Sequence, residues 1–411
     1  HGRVQGTTRP AVHGTIGVQL AWGPEEEAFR AELVAFLDEH VPHEADAGFD
    51  YADSGERDES ELIPGWSRAW QATLFDHGWM IPAYPPELGG RNCTPVQTLI
   101  YLEEMARRRV PRSMHFPGYA IVAPSLLEFG SDEQRELVPA AIRGDTIWCI
   151  GMSEPNAGSD LAGLSTRAEV HDDHFVVNGQ KVWTSYAMAA QKCFCYVRTD
   201  PNAPKHKGIS LLIMDMDTPG IDIRPLRHIS GAANFAEVFF SDVVVPRDNL
   251  VGSLNDGWRI TQGSLAHERA GLWVEGVSRL ETTIHGLVNL ATRRGLIDDP
   301  IVRRKLAELS ERAASLRALG YKGFSSFAQG SSAPEHSFMK MATSELGKEV
   351  WEYGMELQGA YGAVADPDRG EEDGRWVMGF FMSFANTIAG GSSEIQRNII
   401  AQRVLGLPRA R

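Results

Sequence analysis

Residues 150–163 hold the side chains best suited to contact an electron-rich ligand. The segment follows an apolar run and carries two hydroxyls, Ser153 and Ser159, a proline of fixed φ, and the small residues Gly158 and Gly163. Small residues let a backbone approach a ligand closely, and hydroxyls with free N–H groups suit a phosphate. The segment therefore predicts a loop that binds a phosphate-bearing ligand, although on spacing alone a plain polar loop is the commoner explanation.

Length and composition indicate a large globular protein. The 411 residues can bury a substantial core, in one large unit or in two to three domains. Apolar residues make up 43% and charged residues 23% of the chain, as is typical of soluble proteins. A net charge of −14 without a basic stripe argues against nucleic acid as a partner, and no apolar run is long enough to span a bilayer. We therefore predict neither a nucleic-acid nor a membrane partner.

The cysteines predict reduced thiols. Cys93, Cys149, Cys193 and Cys195 are too few and too irregularly spaced for a disulfide scaffold. Cys193 and Cys195 lie two apart in a predicted strand, so we expect both side chains on one face, without metal-ligand spacing. Reduced cysteines favour a cytoplasmic protein, and we predict no metal site.

Apolar periodicity predicts a helical first third. A glycine and a proline at residues 23–24 are typical of a helix start, and apolar residues follow at helical spacing. The predicted helices cover residues 24–39, 66–75, 94–107 and 134–142. The first 21 residues lack the apolar segment of a signal peptide and do not begin with methionine, so they are interpreted as a cloning remnant or a loose tail.

From about residue 150 the period changes to that of strands. Asn178-Gly179 lies between two apolar runs and predicts a hairpin turn, since both residues tolerate positive φ. Further strands are predicted over residues 195–198, 208–214 and 236–245. The middle of the chain is therefore predicted to form an antiparallel barrel or sandwich.

Long helical patterns return after Gly257. The predicted helices cover residues 258–293, 301–328, 335–358 and 392–405. Helices segregated from one antiparallel sheet define the α+β class. We predict a tail over residues 1–21, an N-terminal helical domain over 22–149, a β domain over 150–253, and a C-terminal helical bundle over 254–411.

These features together resemble the acyl-CoA dehydrogenase family. Residues 153–160 match its signature of Ser/Thr-Glu, two variable residues, a small residue, Gly, Ser/Thr and Asp at every fixed position. Residues 129–134, 243–252 and 393–400 match three further family stretches in the same order. The resemblance implies an N-terminal helical domain, a β domain, a C-terminal four-helix bundle, and FAD as the cofactor.

The resemblance also implies a reaction. A base removes the Cα proton of an acyl-CoA thioester while the Cβ hydrogen leaves as hydride to flavin N5, which gives the trans-2-enoyl-CoA. A cofactor must accept the hydride because no side chain can. No Gly-x-Gly-x-x-Gly motif follows a predicted strand, so FAD bound outside a Rossmann domain fits better than a nicotinamide cofactor.

Several residues are implied to contact the flavin ring. Ser153, with Met152 beside it, would bond to the pyrimidine side, where negative charge develops on reduction. Trp183 would shield the flavin, and the hydroxyls of Thr184 and Ser185 match the family position near N5. Without the resemblance, Trp183 would be interpreted as an aromatic residue in the core of the sheet.

Other residues are implied to bind the rest of the cofactor and the thioester. Ser159 is assigned to both, because it would lie near the pantetheine or the pyrophosphate. Ala360 replaces the second glycine of a Gly-Gly pair that is usual in the family. The residues assigned to the FAD tail are Gly359, Gly391, Ser392 and Glu394.

The catalytic base is predicted away from its commoner position. Many family members have a glutamate where this chain has Gly390, and glycine cannot abstract a proton. A second group, which includes isovaleryl- and long-chain dehydrogenases, carries the glutamate on an earlier helix just before an arginine, and Glu268-Arg269 match there. Leu265 and Leu272 share a predicted helix face with Glu268, and apolar surroundings raise a carboxyl pKa toward the useful range. We predict Glu268 as the base and Arg269 as a substrate contact; the alternative for Glu268 is a surface ion pair.

Two further departures from the family pattern bear on the site. Gly390 is assigned to the acyl pocket, where the missing side chain could admit branched or bulky groups. Many members carry Arg-x-x-Phe-Gly near residues 293–297, with the arginine reaching the FAD of the partner subunit. The phenylalanine is absent here, which leaves open whether Arg293, Arg294 or neither has that role.

The resemblance implies partners as well. We predict a homo-oligomer, either a dimer or a tetramer, because family members share FAD between subunits, and an electron-transfer flavoprotein as the electron acceptor. Two alternatives stay open. One is a related flavin oxidase or N-hydroxylase of secondary metabolism, although the hydroxylases often lose the signature at residues 153–160. The other is a catalytically silent subunit of a heteromeric dehydrogenase.

Overall fold

A computed structural model describes residues 22–43, 62–261, 272–328, 336–366 and 368–408. Within these ranges short helices come first, an eight-stranded sheet follows, and long helices complete the chain. This order confirms the predicted α+β class. No helix in the same ranges is both long enough and apolar enough to cross a membrane.

The N-terminal part is built from amphipathic helices. α1 (Pro24–His40), α2 (Gly65–Asp76) and α3 (Pro95–Arg108) confirm three of the predicted helices. α3 begins with a capping box, in which the side chains of Thr94 and Gln97 each accept a bond from the other's backbone N–H at 3.2 and 2.9 Å. These local signals explain why the sequence pattern located this helix well.

The helix predicted over residues 134–142 is divided in the structure. α4 (Ala123–Phe129) is followed by α5 (Asp132–Arg135) and α6 (Val138–Arg143). Pro139 causes the break, because it has no N–H to donate to the carbonyl four residues earlier and its ring would clash with that carbonyl. The prediction of one continuous helix was therefore wrong.

One sheet forms the middle of the chain. Its strands are β1 (Trp148–Gly151), β2 (Arg167–Val170), β3 (His174–Ser185), β4 (Lys192–Arg198), β5 (Ile209–Asp215), β6 (Ile221–Leu226), β7 (Phe235–Pro246) and β8 (Leu250–Val251). The strand order is β6-β7-β3-β2-β4-β5-β8, and β1 pairs with β4. The sheet is mainly antiparallel, as predicted, but β1 and β2 run parallel to β4.

The hairpin predicted at Asn178-Gly179 is wrong. β3 runs through both residues, and the short connection lies earlier, where the backbone N–H of His171 donates to the carbonyl of His174 at 2.9 Å. The amide of Asn178 instead donates to the carboxylate of Asp242, and its oxygen accepts the backbone N–H of Asp242, both at 2.9 Å. Cross-strand hydrogen bonds therefore override the local turn preference of the dipeptide.

Three free thiols lie together in the core of the sheet. Cys149 on β1 is paired with Cys193 on β4, and Gly151 is paired with Cys195. A Cβ on Gly151 would lie 3.0 Å from Cys195 Sγ and 3.2 Å from Cys193 Sγ, so both thiols occupy one face, as predicted. Neighbouring thiols and burial raise the pKa of Cys193 and Cys195 well above its ordinary value, which keeps them neutral and unreactive.

Long helices form the C-terminal part. Their described bounds are α7 (Leu272–Arg293), α8 (Pro300–Ala328), α9 (His336–Gln358) and α10 (Arg375–Ile388), followed by the short α11 (Ser393–Ile399). The first three agree with the predicted helices. The sequence analysis did not predict α10, although its polar residues cluster on one side of the helix, and the helix predicted over 392–405 is instead α11 and a π-helical turn.

Glycines let α9 and α10 pack closely. A Cβ on Gly354 would lie 2.0 Å from Trp376 Cε3, and a Cβ on Gly379 would lie 2.3 Å from Trp351 Cε3. The rings of Trp351 and Trp376 are 5.2 Å apart and tilted by 59°. Each tryptophan therefore packs against the backbone of the opposite helix, at a position where only glycine leaves room.

Candidate active site

The signature segment leaves β1 as an ordered loop beside β3. The backbone N–H of Val182 on β3 donates to the carbonyl of Ser153 at 2.9 Å. Glu154 and Ala157 exchange two backbone hydrogen bonds of 3.0 Å, which form a tight turn. Ser153 is half-buried, whereas Ser159 lies exposed beyond the turn. The structure therefore brings the signature next to the strand that carries the predicted tryptophan.

A buried ion pair lies beneath this loop. Lys181 donates to Glu154 Oε1 at 2.8 Å, and the two side chains are 0% and 4% exposed. Glu154 also accepts the backbone N–H groups of Ser165 and Thr166 at 2.6 and 2.9 Å, and Lys181 donates to the carbonyl of Met152 at 3.2 Å. Burial acts to raise the pKa of Glu154, but Lys181 and these hydrogen bonds outweigh it and lower the pKa to about 2. The carboxylate is therefore ionised at neutral pH.

Trp183 lies at a strained and exposed point of β3. Its φ is 60°, and the register with β7 shifts between Lys181 and Thr184. The residue is 54% exposed, and its ring meets that of Phe235 edge-on at 5.8 Å. An aromatic residue of the sheet core would be buried, so that alternative is wrong. A bulky residue at positive φ costs about 1–3 kcal/mol, and such strain clusters at ligand sites.

The chain turns inward directly after Trp183. Thr184 is buried, and its Oγ1 has no hydrogen-bond partner in the described part of the chain. Ser185 is half-buried. A buried hydroxyl without a partner is costly, so its bonding capacity is best explained by a ligand at this edge of the sheet. Hydroxyls beside an exposed aromatic face fit the edge and the plane of a flavin ring.

A second group of predicted residues surrounds the C-terminal glycine pair. Gly390 and Gly391 have φ values of 67° and 94°, and Ser392 caps the start of α11. The side-chain amide of Gln396 donates to the carbonyl of Gly390 at 3.0 Å, and Lys340 on α9 donates to the carbonyl of Gly391 at 2.7 Å. A Cβ on Gly390 would meet only Lys340 Cε, at 3.9 Å, so the space beside this glycine is open.

Of the four remaining predicted site residues, the structure describes only Gly359 and Glu394. Gly359 begins a 3₁₀ turn with a φ of 59°, and a Cβ there would meet no other atom within 4 Å. Glu394 is exposed on the first turn of α11, where its own backbone N–H and the Ser392 hydroxyl lower the pKa of its carboxyl. Glu268 and Arg269 lie outside the described residues, so their roles stay predictions.

Both arginines near the end of α7 are paired with carboxylates. Arg294 bonds to Glu371 at 2.5 Å, and Arg293 pairs with Glu372. The other oxygen of Glu372 accepts the indole N–H of Trp376 at 2.9 Å. The segment before α10 therefore holds both guanidinium groups within this chain.

The sequence analysis missed a buried histidine beside β1. His115 is 0% exposed, and its Nε2 lies 2.6 Å from the carbonyl oxygen of Trp148. Its ring meets Tyr186 edge-on at 5.3 Å, and the Tyr186 hydroxyl donates to the carbonyl of Met114 at 2.6 Å. Burial lowers the pKa of His115 to about 4. No periodic pattern surrounds this histidine in the sequence, so no signal marked it.

His115 should make stability depend on pH. Its folded pKa of about 4 lies below the ordinary value of about 6.5, so its contribution is complete above pH 6.5 and is lost as the pH falls toward 4. We expect the wild-type free energy of unfolding to drop by on the order of 2–3 kcal/mol more over this range than that of His115→Gln. Urea unfolding at several pH values measures the difference. The exposed His285→Gln is the control, and equal slopes for wild type and His115→Gln would contradict the expectation.

The fold and this site together define an acyl-CoA dehydrogenase. The chain matches the family models for the N-terminal domain over residues 23–145, the middle domain over 149–243 and the C-terminal domain over 255–405. The chain therefore belongs to the acyl-CoA dehydrogenase family, whose members are flavoprotein oxidoreductases.

Individual relatives agree with this assignment. The chain is 38% identical over 359 residues to the acyl-CoA dehydrogenase IpdE1 of Mycolicibacterium smegmatis, covering 83% of this chain and 88% of that protein. A solved structure described as the Tcur3481-Tcur3483 steroid ACAD has a TM-score of 0.81 and 29% identity over 95% of this chain and 100% of that one. The ChsE4-ChsE5 complex of Mycobacterium tuberculosis has a TM-score of 0.78 and 30% identity over 95% of this chain and 100% of that one. The protein is thus an oxidoreductase that dehydrogenates acyl-CoA thioesters.

Proposed function

We propose that this chain catalyses the FAD-dependent α,β-dehydrogenation of an acyl-CoA thioester to the trans-2-enoyl-CoA, with Glu268 as the base. The observation that carries the proposal is Trp183, which is exposed and held at positive φ beside the Ser153 loop. Packing among the described residues does not account for this placement, since the ring meets Phe235 only edge-on. A flat ligand stacked on the indole would account for it.

FAD, when bound, supplies the hydride acceptor that the side chains lack. Ser153 would donate its hydroxyl to the pyrimidine side of the ring, with Met152 beside it. Thr184, whose buried hydroxyl has no partner in the described structure, and Ser185 would donate near N5. Trp183 would cover the ring and keep water away from it. The residues proposed for the remaining cofactor and thioester contacts are Ser159, Gly359, Gly391, Ser392 and Glu394.

Glu268 would take the Cα proton of the substrate and hold it as a carboxylic acid. Two sequence facts support this assignment: Gly390 cannot act as a base, and Glu268-Arg269 match the alternative family position. Arg269 is proposed as a neighbouring substrate contact. Proton abstraction by a positioned carboxylate requires a pKa raised toward neutrality, which the apolar residues next to Glu268 in the sequence would favour.

We further propose that the acyl group is bulky. The space beside Gly390 is open, and a similar solved structure is described as a steroid ACAD. A steroid-sized acyl-CoA should bleach the flavin anaerobically faster than a short straight-chain acyl-CoA. Gly390→Ala should slow only the bulky substrate. Gly295→Ala is the matched control, because Gly295 has the same φ of 67° in a loop where a Cβ meets nothing within 4 Å. Faster bleaching by the short chain would contradict the proposal.

The assembly and the electron acceptor are also part of the proposal. We propose a homo-oligomer, a dimer or a tetramer, that passes electrons to an electron-transfer flavoprotein. A subunit of a heteromer is the second candidate, since Arg293 and Arg294 are held by Glu371 and Glu372, and two similar structures contain two named proteins. The mass and FAD content of the purified chain distinguish the two. Rapid turnover with oxygen as the only acceptor would instead favour an oxidase.

A further inference from the structure

We propose that Glu154 and Lys181 form a positioning pair that holds the Ser153 loop and Trp183 in register for the cofactor. The inference rests on the proposed flavin site. It assigns a role to two residues that were not predicted to touch FAD. The pair would act through the residues next to it in the chain and not by contact with the cofactor.

The pair joins the two elements that the flavin would contact. Glu154 directly follows Ser153, and Lys181 lies two positions before Trp183. The Lys181 ammonium donates to Glu154 Oε1 at 2.8 Å and to the carbonyl of Met152 at 3.2 Å, so it bonds to both sides of Ser153. A backbone hydrogen bond from the N–H of Val182 to the carbonyl of Ser153 joins the same loop and strand. A shift of the ammonium would therefore move the loop and the strand relative to each other.

Glu154 also connects the beginning of the loop to Ser165 and Thr166 at its end. Its carboxylate accepts the hydroxyl of Ser165 at 2.8 Å as well as the backbone N–H groups of Ser165 and Thr166. The hydroxyl of Thr166 donates back to the carbonyl of Gln180 on β3 at 3.2 Å. One buried carboxylate thus joins the beginning of the loop, the residues that follow it and β3.

No second cation among the described residues donates a hydrogen bond to Glu154. Arg198, whose charge interacts with Glu154, donates its guanidinium hydrogen bonds to the carbonyl oxygens of Ala162 at 2.6 Å and Lys205 at 2.8 Å. In the described part of the chain, the other titratable groups against the pair are the neutral thiols of Cys193 and Cys195. Without the Lys181 ammonium, Glu154 would be a buried anion whose remaining hydrogen bonds cannot neutralise its charge. Protonation of the carboxylate would remove this unfavourable buried charge.

Removal of Lys181 should therefore make FAD binding depend on pH, an effect that general destabilisation of the fold would not produce. We expect Lys181→Met to weaken FAD binding roughly tenfold to a hundredfold near pH 8, since charge-assisted hydrogen bonds are lost. Binding should recover as the pH falls toward about 6, because protonation of Glu154 removes the uncompensated charge. Wild type should show no such recovery, since its Glu154 stays ionised with a pKa of about 2. Glu154→Gln/Lys181→Met carries no charge at either position, so at every pH it should bind FAD about as well as Lys181→Met does near pH 6.

A second ion pair provides the matched control. Arg30 on α1 donates to Glu104 on α3 at 2.7 Å, and the Glu104 side chain is 5% exposed. Arg30→Met therefore also removes a cation from a buried carboxylate, but outside the sheet, and Glu104 keeps a second cationic partner because Arg107 Nε donates to it at 3.0 Å. It should lower the melting temperature and leave the FAD dissociation constant and the circular dichroism of the bound flavin unchanged.

The measurement is FAD titration of each apoprotein between about pH 6 and 8, followed by flavin fluorescence and circular dichroism. Failure of wild type to bind FAD would overturn the proposed function itself. If wild type binds FAD and Lys181→Met binds it equally well at every pH, the positioning pair is wrong while the proposed function stands. Should Lys181→Met not fold, Glu154→Gln decides, because it leaves the buried Lys181 ammonium without its carboxylate, and wild-type affinity in that folded variant contradicts the inference.

Discussion

Glu268→Gln should slow anaerobic flavin bleaching by an acyl-CoA roughly 10²–10⁴-fold while leaving FAD bound. The amide cannot accept the Cα proton, and loss of a positioned general base typically costs a factor of this size. Stopped-flow absorbance of the flavin measures the rate directly, without the contribution of product release or of the electron acceptor. The substrate dissociation constant should change much less, because glutamine preserves the size and polarity of the side chain.

Glu275→Gln is the control for this experiment. Glu275 lies on the described part of α7 and is partly exposed, so its replacement removes a nearby carboxylate without touching the family match. We expect near wild-type bleaching from this variant. If Glu275→Gln were slow and Glu268→Gln fast, the base would be Glu275, seven positions further along the sequence. If wild type itself never bleached, the chain would be the silent subunit.

Gly354→Ala should lower the free energy of unfolding by about 1–3 kcal/mol. The added Cβ would lie 2.0 Å from Trp376 Cε3, and two more atoms of that ring lie within 2.7 Å. The ring cannot simply rotate away, since its indole N–H donates to Glu372 at 2.9 Å and its face packs beside Trp351. Either α9 and α10 must separate or the tryptophan must leave its position. Thermal and urea unfolding measure the loss.

Gly347→Ala is a matched control on the same helix. A Cβ on Gly347 would meet no atom within 4 Å, so only the intrinsic helix preference changes. Alanine is favoured over glycine in a helix interior by about 0.5–1 kcal/mol, and we expect a gain of that size. If the free energy of unfolding falls in Gly354→Ala and rises in Gly347→Ala, packing and not helix propensity determines the effect at Gly354. Equal effects at both sites would contradict the packing argument.

Local periodicity predicted much of the fold. α1, α2, α3 and the long helices α7 to α9 carry apolar residues at helical spacing or a marked start, and the structure confirms them within the described ranges. One failure has a non-local cause: Asn178 was assigned to a turn because its partner, Asp242, lies 64 residues further along the chain. The failure at α10 does not, because its polar residues cluster on one side at helical spacing and the sequence analysis did not use that signal.

The site was predicted from family motifs and not from geometry. The signature at residues 153–160 indicated Ser153, a separate family match indicated Trp183, and the structure brings their segments together through Val182. It did not indicate that Glu154 pairs with Lys181, because the partners are 27 residues apart. One signal could have found the lysine: alternation along β3 places Lys181 on the same face as the buried Phe175 and Val177.

Asn178 and Gly179 have a consequence for the lifetime of the chain. An asparagine followed by glycine is prone to deamidation, because the glycine nitrogen can attack the side-chain amide and close a five-membered imide. Here Asp242 holds the amide of Asn178 at both its nitrogen and its oxygen, and Gly179 is paired with Phe240 on β7. The side chain cannot fold back over its own backbone while the sheet is intact. The folded sheet therefore protects the Asn178 amide from deamidation. A deamidated Asn178 would identify molecules in which the sheet has already opened.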